Sequence, residues 1–329
     1  KLIYNTDRTT KNYKFKIISY KKVIGIIKLL DFEIVSSDQL KTIKGIGKST
    51  IEKINTIITN GGLMFKSNSD NNDNSSLKIR QLKGLQKITG IGPKKAEQLL
   101  DNNITLEDLL KIDFNTNNSK LLDQLTHHQK CGVKYYHDIE NRIPYSEITQ
   151  IEIYINSIIK QIDRKIGFEI CGSYRRQCET SGDIDILLYH ETIKQKTEIK
   201  NYSYLNLVLV ALKKSGFIID DLTSINSPTK YMGFCKINKF VRRIDIRLVP
   251  KDALPFALLY FTGSGDFNKK MRSYALTKNY SINEYGITDT SSTSGKNKYT
   301  NKIQDEQDIF NLLGIDYVEP KDRLPSYKF

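Results

Sequence analysis

Two aspartates one residue apart, Asp183 and Asp185, close the run Gly172 to Leu188 (GSYRRQCETSGDIDILL) and limit what this chain can fold into. Side chains of a strand alternate faces, so both carboxylates project the same way while Ile184 and Ile186 fill the opposite, core face. Asp245 repeats the rhythm in Arg242 to Leu248 (RRIDIRL), between Ile244 and Ile246. Three carboxylates side by side repel one another and need a cationic partner, which hard divalent ions with oxygen ligands provide. Two magnesium ions bridged by carboxylates are a standard device for in-line phosphoryl displacement. Solvated edge-strand carboxylates would give the same spacing but leave the preceding residues unexplained. Gly172-Ser173 follows an apolar strand-like segment, Phe168 to Cys171, and leads into Arg175 and Arg176. Such a turn brings backbone N–H groups and a hydroxyl close to a ligand, and the arginines add bidentate cations. A phosphate-binding turn about ten residues ahead of a metal-binding pair suits a nucleoside triphosphate held with its metals.

A second motif occurs twice. Ile43 to Ile54 (IKGIGKSTIEKI) and Ile88 to Leu99 (ITGIGPKKAEQL) lie 45 residues apart and share apolar-x-Gly-Ile-Gly ahead of a helix-forming run. Glycines permit a tight turn that points consecutive N–H groups outward at a helix start. Gly45, Gly47, Gly90 and Gly92 are therefore candidates for gripping DNA phosphates, and the turn carbonyls for holding a monovalent cation, Na+ or K+. This resembles the helix-hairpin-helix motif, which grips the backbone without reading sequence.

Charge agrees. The 329 residues carry a net charge of +14. Residues 1–60 hold 12 basic and 5 acidic side chains, half of that excess in under a fifth of the length, and such a field attracts polyanions. Cys131, Cys171, Cys178 and Cys235 show neither C-x-x-C spacing nor histidine partners and read as reduced core thiols of an intracellular protein. No stretch has the length of apolar residues that spans a bilayer, and no secretory signal is visible. The chain opens at Lys1, so a short preceding piece is expected.

These patterns predict an α+β multidomain fold. Residues 1–65 form a basic helical domain with the first hairpin. Residues 66–77, polar and rich in Asn, Ser and Asp, form a linker. Residues 78–138 form a helical DNA-binding subdomain with the second hairpin. Residues 139–250 hold the carboxylates and residues 251–329 form a last α/β module; the aspartate run resembles that of the nucleotidyltransferase superfamily of DNA polymerase beta, and this resemblance implies that 139–250 are a catalytic palm, a mixed β-sheet flanked by helices, and 251–329 a subdomain for the nascent base pair. Strands are expected at 168–171, 183–189, 217–220, 231–237 and 243–249, with helices at 145–165 and 202–215.

Further runs sharpen the resemblance: LTHHQKCGVKYY (Leu125 to Tyr136), KYMGFC (Lys230 to Cys235), LYFTGS (Leu259 to Ser264), FNKKMR (Phe267 to Arg272), INEY (Ile282 to Tyr285) and EPKDR (Glu319 to Arg323). In their order and spacing the chain from about Lys11 to Phe329 resembles a family X DNA polymerase, on the pattern of DNA polymerase beta. The resemblance implies an N-terminal lyase domain and a polymerase domain that fills short gaps during base-excision-type repair by two-metal nucleotidyl transfer. It implies that Asp183 and Asp185 hold two Mg2+ per active site and that Asp245 completes the catalytic metal site. Arg243 would orient Asp245 through a charge-assisted hydrogen bond. Ser173, Arg176 and Gly182, with Arg142, would contact the triphosphate. Tyr260, Phe261 and Gly263 would pack under the sugar and exclude a 2′-hydroxyl. Asn268 would meet the incoming base and Arg272 the template strand, while Arg175 would be a structural partner. Lys53 matches the Schiff-base lysine whose amine attacks the open-chain aldehyde of an abasic sugar. Lys16, Tyr20, Lys41 and Lys48 would surround the 5′-phosphate, and Glu52 would help proton movement.

Three positions depart from the family. Ser49 and Phe65 replace lysines used on the 5′-phosphate, and Gly265 replaces an aspartate that packs near the incoming base. Implied partners are gapped or nicked duplex DNA and deoxynucleoside triphosphates, with ligase or repair-scaffold proteins besides and no membrane. The chain is expected to be a monomer in the nucleus, or in the cytoplasm if encoded by a large DNA virus. A template-independent or RNA-directed nucleotidyltransferase, and a DNA-binding scaffold without catalysis, remain alternatives.

Overall fold

Alternating isoleucines build the central sheet. In the computed structural model, which describes residues 13–27, 30, 32–60, 72–114, 120–291 and 303–329, the chain divides into two compact units, one up to Arg80 and one from Gln81.

In the first unit, helix α1 (Tyr13–Ile27) and helix α2 (Lys48–Asn60) bury Val23, Leu40 and Ile46 against Ile26, Ile43, Ile51 and Ile54. The first glycine turn leads directly into α2, with Gly45 at φ +101°. Helix α3 (Asn72–Gln86) follows. It begins inside the stretch expected to be a linker, because Asn, Asp and Ser are tolerated in a first helical turn. Only residues 66–71 of that stretch lie outside the described residues.

In the second unit the other glycine turn feeds helix α4 (Pro93–Asp101), with Pro93 at its first position. Gly90 sits at φ +87°, and a Cβ there would come within 2.9 Å of the His128 ring. That ring belongs to helix α5 (His127–Lys134). Leu85, Ile88, Ile91, Ala96, Leu99, Leu109 and Val133 form the core of this helical region.

A five-stranded mixed sheet follows: β1 (Ile166–Ile170), β2 (Ile184–His190), β3 (Ile218–Asp221), β4 (Lys230–Cys235) and β5 (Arg242–Leu248). Its spatial order is β1-β2-β5-β4-β3. Only β2 and β5 run parallel. These strands fall where the alternation places them, within a residue or two. Helices α6 (Tyr145–Ile162) and α7 (Tyr204–Lys214) cover one face. Ile148, Ile151, Ile155 and Ile159 of α6 recur at helical spacing and pack, with Leu205, Val208, Leu209 and Leu212 of α7, on Ile184, Ile186, Leu188, Ile244, Ile246 and Leu248. That layer leaves the other face of β2 and β5 to Asp185 and Asp245.

The C-terminal region supplies helices α8 (Leu254–Thr262), α9 (Gly265–Thr277) and α10 (Glu306–Leu313) and a hairpin of β6 (Tyr280–Asn283) with β7 (Gly286–Asp289). Phe256, Phe267, Met271, Ile287, Ile309 and Phe310 are its core. The four cysteines are free thiols, three of them buried. Among the described residues no helix is long and apolar enough to cross a membrane.

Candidate active site

Register decides whether the three carboxylates meet. Asp185 of β2 and Asp245 of β5 are direct partners on parallel neighbouring strands, so their side chains leave the sheet on the same face, side by side. Asp183 precedes β2 by one residue. Burial first, then the Asp183 and Asp245 charges, push the Asp185 carboxyl up to about 7. Burial also raises Asp245, with Arg243 pulling the other way. One oxygen of Asp245, Oδ1, is buried without a hydrogen-bond partner among the described residues. Asp185 and Asp245, side by side in register with an orphaned oxygen, are donors of the kind that hard divalent ions take, whereas Asp183 is paired with Arg243 and the three carboxylates do not close to within 4.8 Å of one another.

Arg243 does not do what the family resemblance implied. Its Nη2 donates to Asp183, not to Asp245, and its Nε is buried without a partner among the described residues. Two residues apart on one strand face, Arg243 and Asp245 look like natural partners in sequence, yet the guanidinium fork reaches across to Asp183.

The repulsion within the trio has a measurable consequence. A carboxyl that holds its proton more tightly folded than unfolded makes metal-free stability fall as pH rises towards the folded value, about 7 for Asp185. Asp185→Asn removes that charge, so at pH 8 in chelator it should stabilise the protein by on the order of 1–3 kcal/mol. Urea unfolding checks this, and a lower midpoint than wild type would contradict it.

The turn before β2 is shaped around these carboxylates. Gly172 has φ +60°, and a Cβ there would sit 2.5 Å from Asp185 Oδ2, so only glycine fits both the backbone and the space. The Cys171 N–H donates to the Asp185 carbonyl at 2.8 Å. Ser173 Oγ donates to Ser181 Oγ at 2.8 Å, which fixes the hydroxyl of the phosphate-type turn against a buried neighbour. Arg142 is anchored through Nη2 to the Thr180 carbonyl at 2.8 Å. Arg176 Nη1 donates to the Thr262 carbonyl, and Arg175 Nη1 to the Thr262 hydroxyl at 2.6 Å. Arg175 also pairs with Glu306, in keeping with a structural role.

These groups open onto a cleft of about 660 Å³. Arg142, Ser173, Arg176, Gly182, Asp183 and Asp185 line the sheet side, and Tyr260, Phe261, Gly263, Asn268 and Arg272 the side formed by α8 and α9. Every residue expected to touch the nucleotide or template lines this one cavity. Asn268 Nδ2 donates to the Tyr260 carbonyl at 2.7 Å, and the Arg272 guanidinium lies 4.9 Å from the centre of the Tyr260 ring. Gly265 lines the cleft too, while the neighbouring Asp266 pairs with Lys269 in solvent. Lys269 also reaches the cleft. Sequence reasoning missed it because a lysine beside Asn268 on an amphipathic helix reads as solvated.

Comparison with known proteins agrees with this geometry. The DNA polymerase beta palm family matches residues 142–251 and the DNA polymerase beta thumb residues 257–324. The fingers domain of DNA polymerase lambda matches residues 83–140, and a helix-hairpin-helix domain residues 4–63. The chain belongs to family X of the DNA polymerases. It is 30% identical over 321 residues to DNA polymerase lambda of Arabidopsis thaliana, an alignment covering 93% of this chain and 57% of that protein. It is also 30% identical over 325 residues to DNA polymerase lambda of Rattus norvegicus, covering 94% and 52%. A DNA nucleotidylexotransferase of Xenopus laevis is 27% identical over 350 residues, covering 94% and 64%. This family X chain thus spans a little over half the length of the curated relatives it matches.

The helix-hairpin-helix unit of this family X chain brings together part of the expected second site. Lys53 Nζ donates to Tyr20 Oη at 2.8 Å and sits 5.0 Å from that ring's centre. Lys48 opens α2 and, like Lys16, is exposed. Lys41 pairs with Asp38 at 2.6 Å in solvent. Phe65 lies outside the described residues.

Proposed function

We propose that this chain is a template-directed DNA polymerase that fills short gaps in duplex DNA during base-excision-type repair, and that its first unit removes a 5′-deoxyribose phosphate. The observation that carries the polymerase reading is Asp185 facing Asp245 in register, with Asp185 lining a cleft that also holds the glycine turn, Arg142, Arg176 and Arg272. Asp183, Asp185 and Asp245 would hold two magnesium ions. Bound there, such ions supply charge neutralisation and Lewis acidity for in-line displacement at phosphorus.

The remaining work belongs to the chain's own groups. Ser173, Arg176 and Gly182, with Arg142, would hold the triphosphate through hydroxyl, guanidinium and backbone donors. Asp245, with an oxygen that has no hydrogen-bond partner among the described residues, would face the primer 3′-hydroxyl. Arg243, through Asp183, fixes one carboxylate of the trio and offsets its charge. The Tyr260-to-Gly263 segment would crowd a 2′-hydroxyl, favouring deoxynucleotides, while Asn268 and Arg272 would leave their contacts with Tyr260 to meet base and template. Most of the acceleration then comes from positioning and electrostatics.

The domain limits that suit this reading are 1–65 for the lyase, 78–138 for duplex binding, 139–250 for catalysis and 251–329 for the nascent base pair, with the connection expected at 66–77 cut short by α3, which starts at Asn72. The two glycine turns would hold DNA phosphates, each with a monovalent cation. A nuclear monomer working with a ligase or repair scaffold fits the same reading.

Similarity to the nucleotidylexotransferase favours one second reading, template-independent addition. Extension with and without a template strand, using deoxy- and ribonucleotides, separates the two. The expected result is templated deoxynucleotide addition only, and equal extension of a single strand would overturn it. For the lyase, borohydride trapping on a 5′-deoxyribose-phosphate substrate should give a covalent adduct that Lys53→Ala reduces by more than about tenfold. An undiminished adduct removes Lys53 from the nucleophile role.

A further inference from the structure

One cluster of chemically capable side chains lies outside the cleft and takes no part in nucleotide addition. The sequence shows cysteines without histidine partners, but helix α5 places His127 and Cys131 one turn apart on one face. His127 Nε2 and Cys131 Sγ are 3.6 Å apart. Asp220, on β3, offers a carboxylate oxygen, and all three donor atoms lie within 4.8 Å of one another. We propose that His127, Cys131 and Asp220 form a zinc-class site. It would take one borderline-soft divalent cation through an imidazole nitrogen, a thiolate sulfur and a carboxylate oxygen, with water as the fourth ligand.

The nitrogen–sulfur separation suits that chemistry. Zinc bonds of about 2.05 Å to nitrogen and about 2.3 Å to sulfur, at a tetrahedral angle, put the two ligand atoms about 3.6 Å apart. The pair needs no rearrangement, and the carboxylate has only to close in. Exposure is graded as such a site requires: Cys131 is buried at 3%, whereas His127 is exposed and offers a way in for the ion and a place for water. Asp220 is itself held, through Oδ2, by Lys134 at 3.0 Å and by the Tyr135 hydroxyl, the outer support that fixes ligating carboxylates. A thiolate–imidazole pair selects against magnesium, so the site would be chemically distinct from the aspartate trio. A metal must displace the His127 Nε2–Cys131 Sγ hydrogen bond itself and one further hydrogen bond, His127 Nε2 to the Asp221 carbonyl at 2.8 Å. In the competing view those hydrogen bonds are all His127 does, and Cys131 only fills a core slot beside Tyr135, Phe234 and Val241.

A filled site would tie α5 to the edge strand of the sheet. The same helix supports the second glycine turn, where Gln129 Nε2 donates to the Gly90 carbonyl at 3.1 Å. Metal binding would therefore stiffen a turn proposed to grip DNA.

Cobalt(II) is the probe, added to the full chain in excess Mg2+ so that the carboxylate trio does not compete. Wild type should develop an intense near-ultraviolet thiolate-to-cobalt band that saturates at one equivalent and is bleached by Zn2+. Cys131→Ser and His127→Gln should each lose it, and Cys178→Ser should keep it. His127→Gln alters an exposed side chain, so its melting temperature in chelator should equal that of wild type, while added Zn2+ raises the wild-type value by several degrees and leaves the variant unmoved. No band at saturating cobalt, or a band that persists in both Cys131→Ser and His127→Gln, overturns the site. These readouts do not depend on polymerase activity, so they stand or fall apart from the function proposed above.

Discussion

Asp245→Ala should lower the rate of nucleotide addition by about 10³-fold or more, because it removes a charge from the position where the attacking oxygen and its ion are to be neutralised. The variant should still fold. It takes a charge out of a crowded cluster in which Asp185 already resists ionisation because of burial and its two acidic neighbours. Affinity for gapped DNA should stay within about threefold, since the glycine turns and basic surface that would hold phosphates lie elsewhere. Single-turnover insertion and a binding titration separate the two effects. Retention of more than a few per cent of the wild-type rate (a loss of under ~30-fold, short of the range expected for such a group) would remove Asp245 from the catalytic metal site.

Glu306→Ala should strongly destabilise the C-terminal region. Glu306 is 5% exposed and accepts from two arginines: Arg323 Nη1 at 2.6 Å and Arg175 Nη2 at 2.5 Å. Arg323 is fully buried, its Nε on the Val318 carbonyl at 3.0 Å and its guanidinium within 6 Å of the ring centres of Phe267, Phe310 and Tyr317. Removing the carboxylate strands a buried cation among aromatic rings, at a cost of roughly 3–5 kcal/mol. Arg175 would also lose the partner that holds it against Thr262, beside the Arg176 contact at the cleft. The variant should therefore raise the KM for nucleotide as well as lower the urea midpoint. A loss below about 1 kcal/mol would mean that water reaches and relieves the two arginines.

The catalytic strands were legible because a period of two is hard to imitate: Ile-Asp-Ile occurs at 184–186 and again at 244–246, and both segments are strands with the isoleucines in the core. Their register was not legible. Residues 191–241 separate the strands, and nothing local fixes which residue of one meets which of the other. Arg243 misled for a related reason, since proximity along a strand suggests a partner but cannot reveal a carboxylate across the sheet. Glu306 was invisible because an acidic residue in the first turn of a helix reads as a helix-dipole contribution at the surface; only the fold brings Arg175 and Arg323 to it. The polar run around Asn72 shows the converse, where lack of apolar periodicity suggested a connection and the chain forms a helix. The His127–Cys131 pair sat one helical turn apart in plain view, and only Asp220, nearly ninety residues on, makes it a cluster.

The central claim is that the three aspartates share divalent ions to join a deoxynucleotide to a primer within duplex DNA. It is tested most directly by single-turnover insertion on a one-nucleotide-gapped duplex as magnesium is titrated. The account predicts addition of the complementary nucleotide only, absent in chelator and rising steeply as two ions bind. Insertion that proceeds undiminished in chelator, or that ignores the templating base, would contradict it.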